Sequence, residues 1–326
     1  MGDLVDRGVS YLVDAVAPES VRDDLRVIRE ELRCTAVMVI GSDTRRLLDA
    51  VGHALEAGLD VYVRPHPAGA RPRQFVEHFR EVAAGAERAR RQHPDRVTLL
   101  LGSELSLTSR VAVPVGSEFL RLKAILRLRA VLRRRIDRRV NALLAELLSV
   151  ARREFAGPVT YAAAYWERVD WSAMDVVGVN LYRMGDDPDA YARHVRSLVH
   201  TSAKPVVITE FGCGAHVGAD RRGPGSFFIV NWFTVPPQVR PGHVRDESVQ
   251  ASYLTELIDL YTEAGVHGCF VFTFRMPDFP HDPDPRRDLD MAGFALVKPS
   301  SEAPEGWARK EAFAAVAERY SRPLAP

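Results

Sequence analysis

The chain has 326 residues, 46% of them hydrophobic, and a formal net charge of +1. That is ample apolar material for one sizeable core, and the near-neutral balance gives no global attraction to nucleic acid or to an anionic membrane. No run approaches the ~20 apolar residues that cross a bilayer. The acidic start Met1-Gly2-Asp3-Leu4-Val5-Asp6 lacks the apolar stretch of a secretory signal, so a cytoplasmic protein is expected.

Along the chain, short apolar runs alternate with longer amphipathic segments, the pattern of repeated βα units around a parallel sheet. The candidate strands are Gly8–Val13, Ala36–Ser42, Asp60–Pro67, Val97–Leu107, Pro158–Ala164, Asp175–Tyr182, Pro205–Gly212 and Gly268–Phe274. The first is short and also reads as a loop leading into a helix. Eight is the number that closes a barrel, so the expectation is an α/β protein, a single (β/α)8 TIM barrel over residues 1–326. Helices are marked by periodicity and stops: Thr44–Ala57 ends at Gly58, and Arg73–Gln92 at His93-Pro94.

Residues 113–155 form a long basic helical connection, with Arg127, Arg129, Arg133, Arg134, Arg135, Arg138 and Arg139 among Leu122, Ile125, Leu126, Leu132 and Ile136. This reads as an outer helix with a solvated cationic face, the other reading being a patch for nucleic acid or membrane. Two long segments, residues 213–246 after the seventh strand and 275–297 after the eighth, are expected as active-face loops. The first holds Gly223-Pro224-Gly225-Ser226 and Trp232-Phe233; the second is rich in proline and aspartate. Cys34, Cys213 and Cys269 have no CxxC spacing and lie in or beside strand-like runs, where a reduced thiol acts as a small hydrophobe.

The most informative stretch is Lys204-Pro205-Val206-Val207-Ile208-Thr209-Glu210-Phe211-Gly212, an apolar strand that ends on a carboxylate. Burying an ionised carboxylate costs several kcal/mol unless it is compensated. The carboxyl ends of barrel strands are where active sites are built, so Glu210 reads as catalytic. Val97-Thr98-Leu99-Leu100-Leu101-Gly102-Ser103-Glu104 repeats the pattern on the fourth strand.

A glutamate after strand four and another after strand seven resembles the large clan of retaining TIM-barrel glycosidases, and "KPVVITEFG" is similar to that clan's nucleophile strand. The resemblance implies Glu104 as general acid/base and Glu210 as nucleophile, one protonated and one ionised. The clan has an asparagine before the acid/base that holds the sugar 2-hydroxyl. Here Ser103 stands there, a shorter hydroxyl in place of a carboxamide. The resemblance further implies a tyrosine near the sixth strand that bonds the nucleophile; Tyr182 matches, with Asn180 as a polar neighbour.

Arg64 and His66 end the third strand. Arg64 near Glu210 would keep the nucleophile charged, or would be a structural ion-pair partner. Tyr165, Trp166 and Trp232 are candidates for stacking on a sugar or other flat ligand, and equally for anchoring their loops. No metal or nucleotide cofactor is expected: His281-Asp282-Pro283-Asp284 lacks ligand spacing, and no phosphate-binding glycine loop is present.

Over most of its length the chain also resembles actinobacterial proteins labelled "abortive infection protein", best over residues 158–183, 205–225, 266–274 and 288–294. That resemblance leaves the substrate open and leaves room for a place in secondary metabolism. Three functions follow as expectations. The first is a glycosidase-like hydrolase acting on a small glycoside. The second is a biosynthetic enzyme using the same carboxylates for dehydration, cyclisation or hydrolysis of a non-sugar, motivated by Ser103 and the aromatic loop. The third is a non-catalytic binding or phage-defence module. A small-molecule substrate is the expected partner, nucleic acid and membrane are not, and the oligomeric state is not legible.

Overall fold

The eight apolar runs form the eight strands of a (β/α)8 barrel in a computed structural model that describes residues 4–66, 69–303 and 305–322. The strands are β1 (Asp6–Leu12), β2 (Ala36–Gly41), β3 (Asp60–Pro65), β4 (Val97–Ser103), β5 (Val159–Ala162), β6 (Val177–Asn180), β7 (Val206–Phe211) and β8 (Gly268–Val271). They pair in parallel in the order β5-β4-β3-β2-β1-β8-β7-β6, and a parallel bridge between Ala163 and Val179 brings β5 to β6. The open choice at the first run resolves as a strand, because residues 6–9 pair with β8 and residues 8–12 with β2. Pro67, the expected end of the third run, lies outside the described residues.

Among the described residues, seven longer helices surround the strands: α1 (Val21–Glu30), α2 (Thr44–Glu56), α3 (Pro72–Gln92), α4 (Glu118–Glu154), α5 (Pro188–Thr201), α6 (Glu247–Ala264) and α7 (Glu311–Tyr320). Residues 163–176, between β5 and β6, contain no helix among the described residues. Helix α4 buries Ile125, Ile136, Val140, Leu143 and Leu147 on one stripe and leaves helical geometry at Leu128 (φ −112°, ψ 18°). No described helix is long and apolar enough to cross a membrane.

Strand alternation separates two apolar layers. Val61 and Val63 of β3 face the helices, while Tyr62 turns inward with Met38, Leu100, Ala162, Val207 and Phe270 to fill the barrel. The interior leaves so little room that a Cβ at Gly8 would lie 2.3 Å from the Phe270 ring.

Both glutamate strands break the alternation just before the glutamate. On β4, Leu100 opposes Thr160 and Ser103 opposes Ala162, so β4 carries one extra residue. On β7, Val179 and Asn180 oppose Ile208 and Glu210, and Cys269 and Val271 oppose Ile208 and Phe211, again one residue more on β7. Such a bulge re-aims the following side chain. Ile208 and Phe211 both pack outward, with Thr209 and Glu210 between them. Gly102 takes φ +125° at the β4 bulge, a conformation a side chain would strain.

The expected fourth run to Leu107 is therefore corrected. The strand stops at Ser103, Glu104 is left-handed (φ 43°, ψ 48°), and Leu105–Thr108 is one helical turn. The amides of Leu107 and Thr108 donate to the Glu104 carbonyl at 2.7 and 2.8 Å, which ends the strand and buries Leu105 from a helical turn.

The 213–246 loop contains a helical turn (Ala219–Arg222), a 3-10 segment (Gly223–Ile229) and a two-strand ribbon (Val230–Asn231 with Gln238–Val239). Arg245 joins it to the 275–297 loop, bonding Asp288 at 2.9 Å, Asp290 at 2.8 Å and Glu247 at 2.6 Å. Lys310, fully enclosed, reaches Asp290 at 3.3 Å.

Candidate active site

Six of the expected residues meet at the carboxyl ends of β3, β4, β6 and β7. Arg64, pointing inward from β3, forms a buried ion pair with Glu210 through Nη1 and Oε1, and its Nη1 also faces the Met38 sulfur at 3.9 Å. The Tyr182 hydroxyl donates to the other oxygen of Glu210 at 2.9 Å. Both oxygens of Glu210 are thus held, one by a cation and one by a neutral donor. Burial and the Glu210 charge push the Tyr182 phenol well above its ordinary range, so it stays a donor.

Glu104 lives in the opposite environment. It is buried in the mouth, with the carboxyl groups of Glu210 and Glu167 as neighbours. Desolvation first, and then the Glu210 charge, raise its pKa to about 8, against a lowering by the Asn180 hydrogen bond. Asn180 Nδ2 donates to Glu104 Oε1 at 3.0 Å and to Ser103 Oγ at 3.1 Å, and its Oδ1 accepts from Thr209 at 2.7 Å. The amide is fully used, whereas Ser103 Oγ accepts from it and keeps its own proton to give. His66 stands next to Arg64, and burial together with that cation lowers its pKa to about 4. It is neutral at pH 7.

The aromatic candidates are placed differently. Trp166 donates its indole N–H to Ser106 Oγ at 2.9 Å and meets Tyr165 edge-on, centroids 4.8 Å apart. Tyr165 itself is exposed. Trp232 donates to the Phe227 carbonyl at 3.2 Å and packs edge-on against Phe279. Phe227 stacks on Phe294 at 4.5 Å, and Phe294 lies 6.1 Å from Tyr182. Trp232 therefore belongs to an aromatic wall shared by the two long loops, held by Phe227 and Phe279 and not by the glutamates.

Two supports carried no usable signal in the sequence. Glu167, buried in the β5–β6 connection, accepts from the Ser106 amide at 2.9 Å, the Tyr161 hydroxyl at 2.8 Å and the Ala164 amide at 3.1 Å. Tyr161 accepts in turn from the Leu105 amide at 2.6 Å. Together they clamp the two peptides that follow Glu104 and so hold its left-handed backbone. Thr209 is the second: it sits in the recognised strand, but its role depends on the bulge. Among the described residues, no cluster of three His, Cys, Asp or Glu side chains is placed to hold a metal ion.

No protein-family model matches the chain, and no curated protein sequence does. Solved structures do. A GH113 β-1,4-mannanase complex superposes with a TM-score of 0.66 at 16% identity, over 99% of this chain and 100% of that one. The GH113 β-mannanase of Alicyclobacillus acidocaldarius, in complex with ManMIm, gives 0.61 at 14% identity, covering 98% of each. A hyperthermophilic endo-β-1,4-glucanase gives 0.56 at 11% identity, covering 97% of each. The chain has the fold of these TIM-barrel glycosidases.

Proposed function

We propose that the protein is a retaining glycoside hydrolase-like enzyme acting on a small glycoside, with Glu210 as nucleophile and Glu104 as general acid/base. The observation that carries the reading is the division of environments: Arg64 and Tyr182 hold Glu210, while Glu104 is desolvated beside negative neighbours and keeps its proton to about pH 8. A double displacement needs that pair. Glu104 gives its proton to the leaving oxygen as Glu210 attacks the anomeric carbon. Water then enters, loses a proton to Glu104 and releases the sugar from Glu210. The neighbouring structures are named for β-linked substrates, mannan and glucan, which supports a β-glycoside. Ser103 Oγ, oriented by Asn180, is the hydroxyl we assign to the substrate.

A panel of activated aryl β-glycosides tests this. Turnover by the native chain, and a loss of about a thousandfold or more in Glu210→Gln, is the expected result; full activity of Glu210→Gln would end the proposal.

The wall of Phe227, Phe279 and Phe294 beside Tyr182 favours a second reading, acid/base chemistry by the same carboxylates on an apolar, non-sugar biosynthetic intermediate. Silence across the glycoside panel, with an apolar ligand protecting the site, is its signature.

A further inference from the structure

Several apolar side chains of the 213–246 loop and of α4 lie in solvent. In the 213–246 loop, Phe233 is 83% exposed and Val235 fully so. Phe233 meets Phe119, at the start of α4, edge-on with centroids 6.5 Å apart, and Lys123 Nζ lies 5.1 Å from the Phe119 ring. The exposed apolar strip continues down α4 through Leu120, Leu128 and Val131, the last 80% exposed. Between Phe119 and Arg139 the sequence carries nine basic residues and one acidic residue, Asp137. Arg133, Arg134, Arg135, Arg138 and Arg139 are exposed, and no carboxylate pairs with them among the described residues.

We propose that the tip of the 213–246 loop and the outer side of α4 as far as Arg139 form a docking surface for an anionic lipid bilayer. The two halves of the surface match the two layers of such a membrane. Phe and Val offer nothing to a phosphate and everything to acyl chains, while unpaired guanidiniums bind lipid phosphates. A nucleic acid would use the arginines and waste the loop tip. A two-fold contact with a second copy would set the same arginines against one another. Docking of this kind needs no spanning helix. It departs from the expectation that the near-neutral net charge excludes membranes, because the charge is unevenly spread. The inference stands independently of the proposed reaction.

The test is co-sedimentation of the full chain with vesicles of phosphatidylcholine alone or with about one-third phosphatidylglycerol. Binding is expected only to the anionic vesicles, and it should weaken more than tenfold between about 0.05 and 0.5 M salt. At a factor of about five per arginine, Arg133→Gln with Arg134→Gln and Arg138→Gln should weaken it on the order of a hundredfold. Phe233→Ser with Val235→Ser should weaken it several-fold without changing the salt dependence. The salt titration uses the native chain, so it stands even where a variant melts early. Absence of binding, equal binding to both vesicles, or insensitivity to both variant sets overturns the proposal. So does a duplex oligonucleotide that displaces the vesicles and binds Phe233→Ser/Val235→Ser undiminished, or a stable dimer broken by the arginine variants.

Discussion

Asn180 donates to Glu104 Oε1 at 3.0 Å while its own backbone stands opposite Glu210 in the β6–β7 register. One side chain therefore spans the two glutamate strands. Its N–H favours the charged form of Glu104 and tempers the rise caused by burial. Asn180→Ala should raise the Glu104 pKa above about 8 and release Ser103 and Thr209. The expected outcome is an alkaline limb of the pH–rate profile moved upward, with kcat lowered. The same shift should appear in a 13C NMR titration of the carboxyl, which needs no substrate.

Protonated Glu104 also couples stability to pH. Its carboxyl titrates at about 8 when folded, against an ordinary value of 4.5. Between those values the folded state holds the extra proton, so stability falls as pH rises. The contribution is complete below about pH 4.5 and lost as pH passes through about 8. Glu104→Gln should flatten this part of the melting-temperature profile between pH 5 and 9, and should slow glycosidic bond cleavage by about 10²–10⁴-fold. An unchanged slope in the variant would show that other groups set it.

Strand number and the placement of the two glutamates at strand ends could be read from the sequence because they rest on local pattern: β-branched runs, stops, and a carboxylate where a buried strand has no use for one. What could not be read was which way Glu210 and Ser103 point. Strict alternation from inward-facing Val207 sends Glu210 outward, and the same count from Leu100 sends Ser103 outward. One extra residue on each strand reverses both. A bulge is decided by pairing with neighbouring strands, so it leaves little trace in a single chain segment; Gly102 was its only local mark. Trp232 shows the same limit. An exposed loop aromatic reads alike as ligand platform or loop anchor until Phe227 and Phe279 are seen around it.

Gly102 gives the bulge its own test. At φ +125° any side chain is strained, and a Cβ there would also lie 3.1 Å from Leu105. Gly102→Ala should destabilise the fold by about 1–3 kcal/mol. It should also lower kcat more than it raises KM, because the backbone that aims Glu104 must shift. Denaturant melts and steady-state kinetics separate the two effects.

Glu167 acts on Glu104 in two ways. It holds the Ser106 amide and, through Tyr161, the Leu105 amide, and its negative charge raises the Glu104 pKa. Burial raises its own pKa as well, opposed by the donors around it. Glu167→Gln keeps the shape but removes the charge and turns one acceptor into a donor facing backbone N–H groups. Stability should fall by about 1–3 kcal/mol from the mismatched hydrogen bond. Loss of the negative neighbour favours ionised Glu104, so the alkaline limb should move to lower pH, the opposite of Asn180→Ala. A purely structural role predicts the destabilisation without the shift. Limbs that move in opposite directions in the two variants would show that Glu104 is tuned from both sides, by a donor on β6 and a carboxylate after β5.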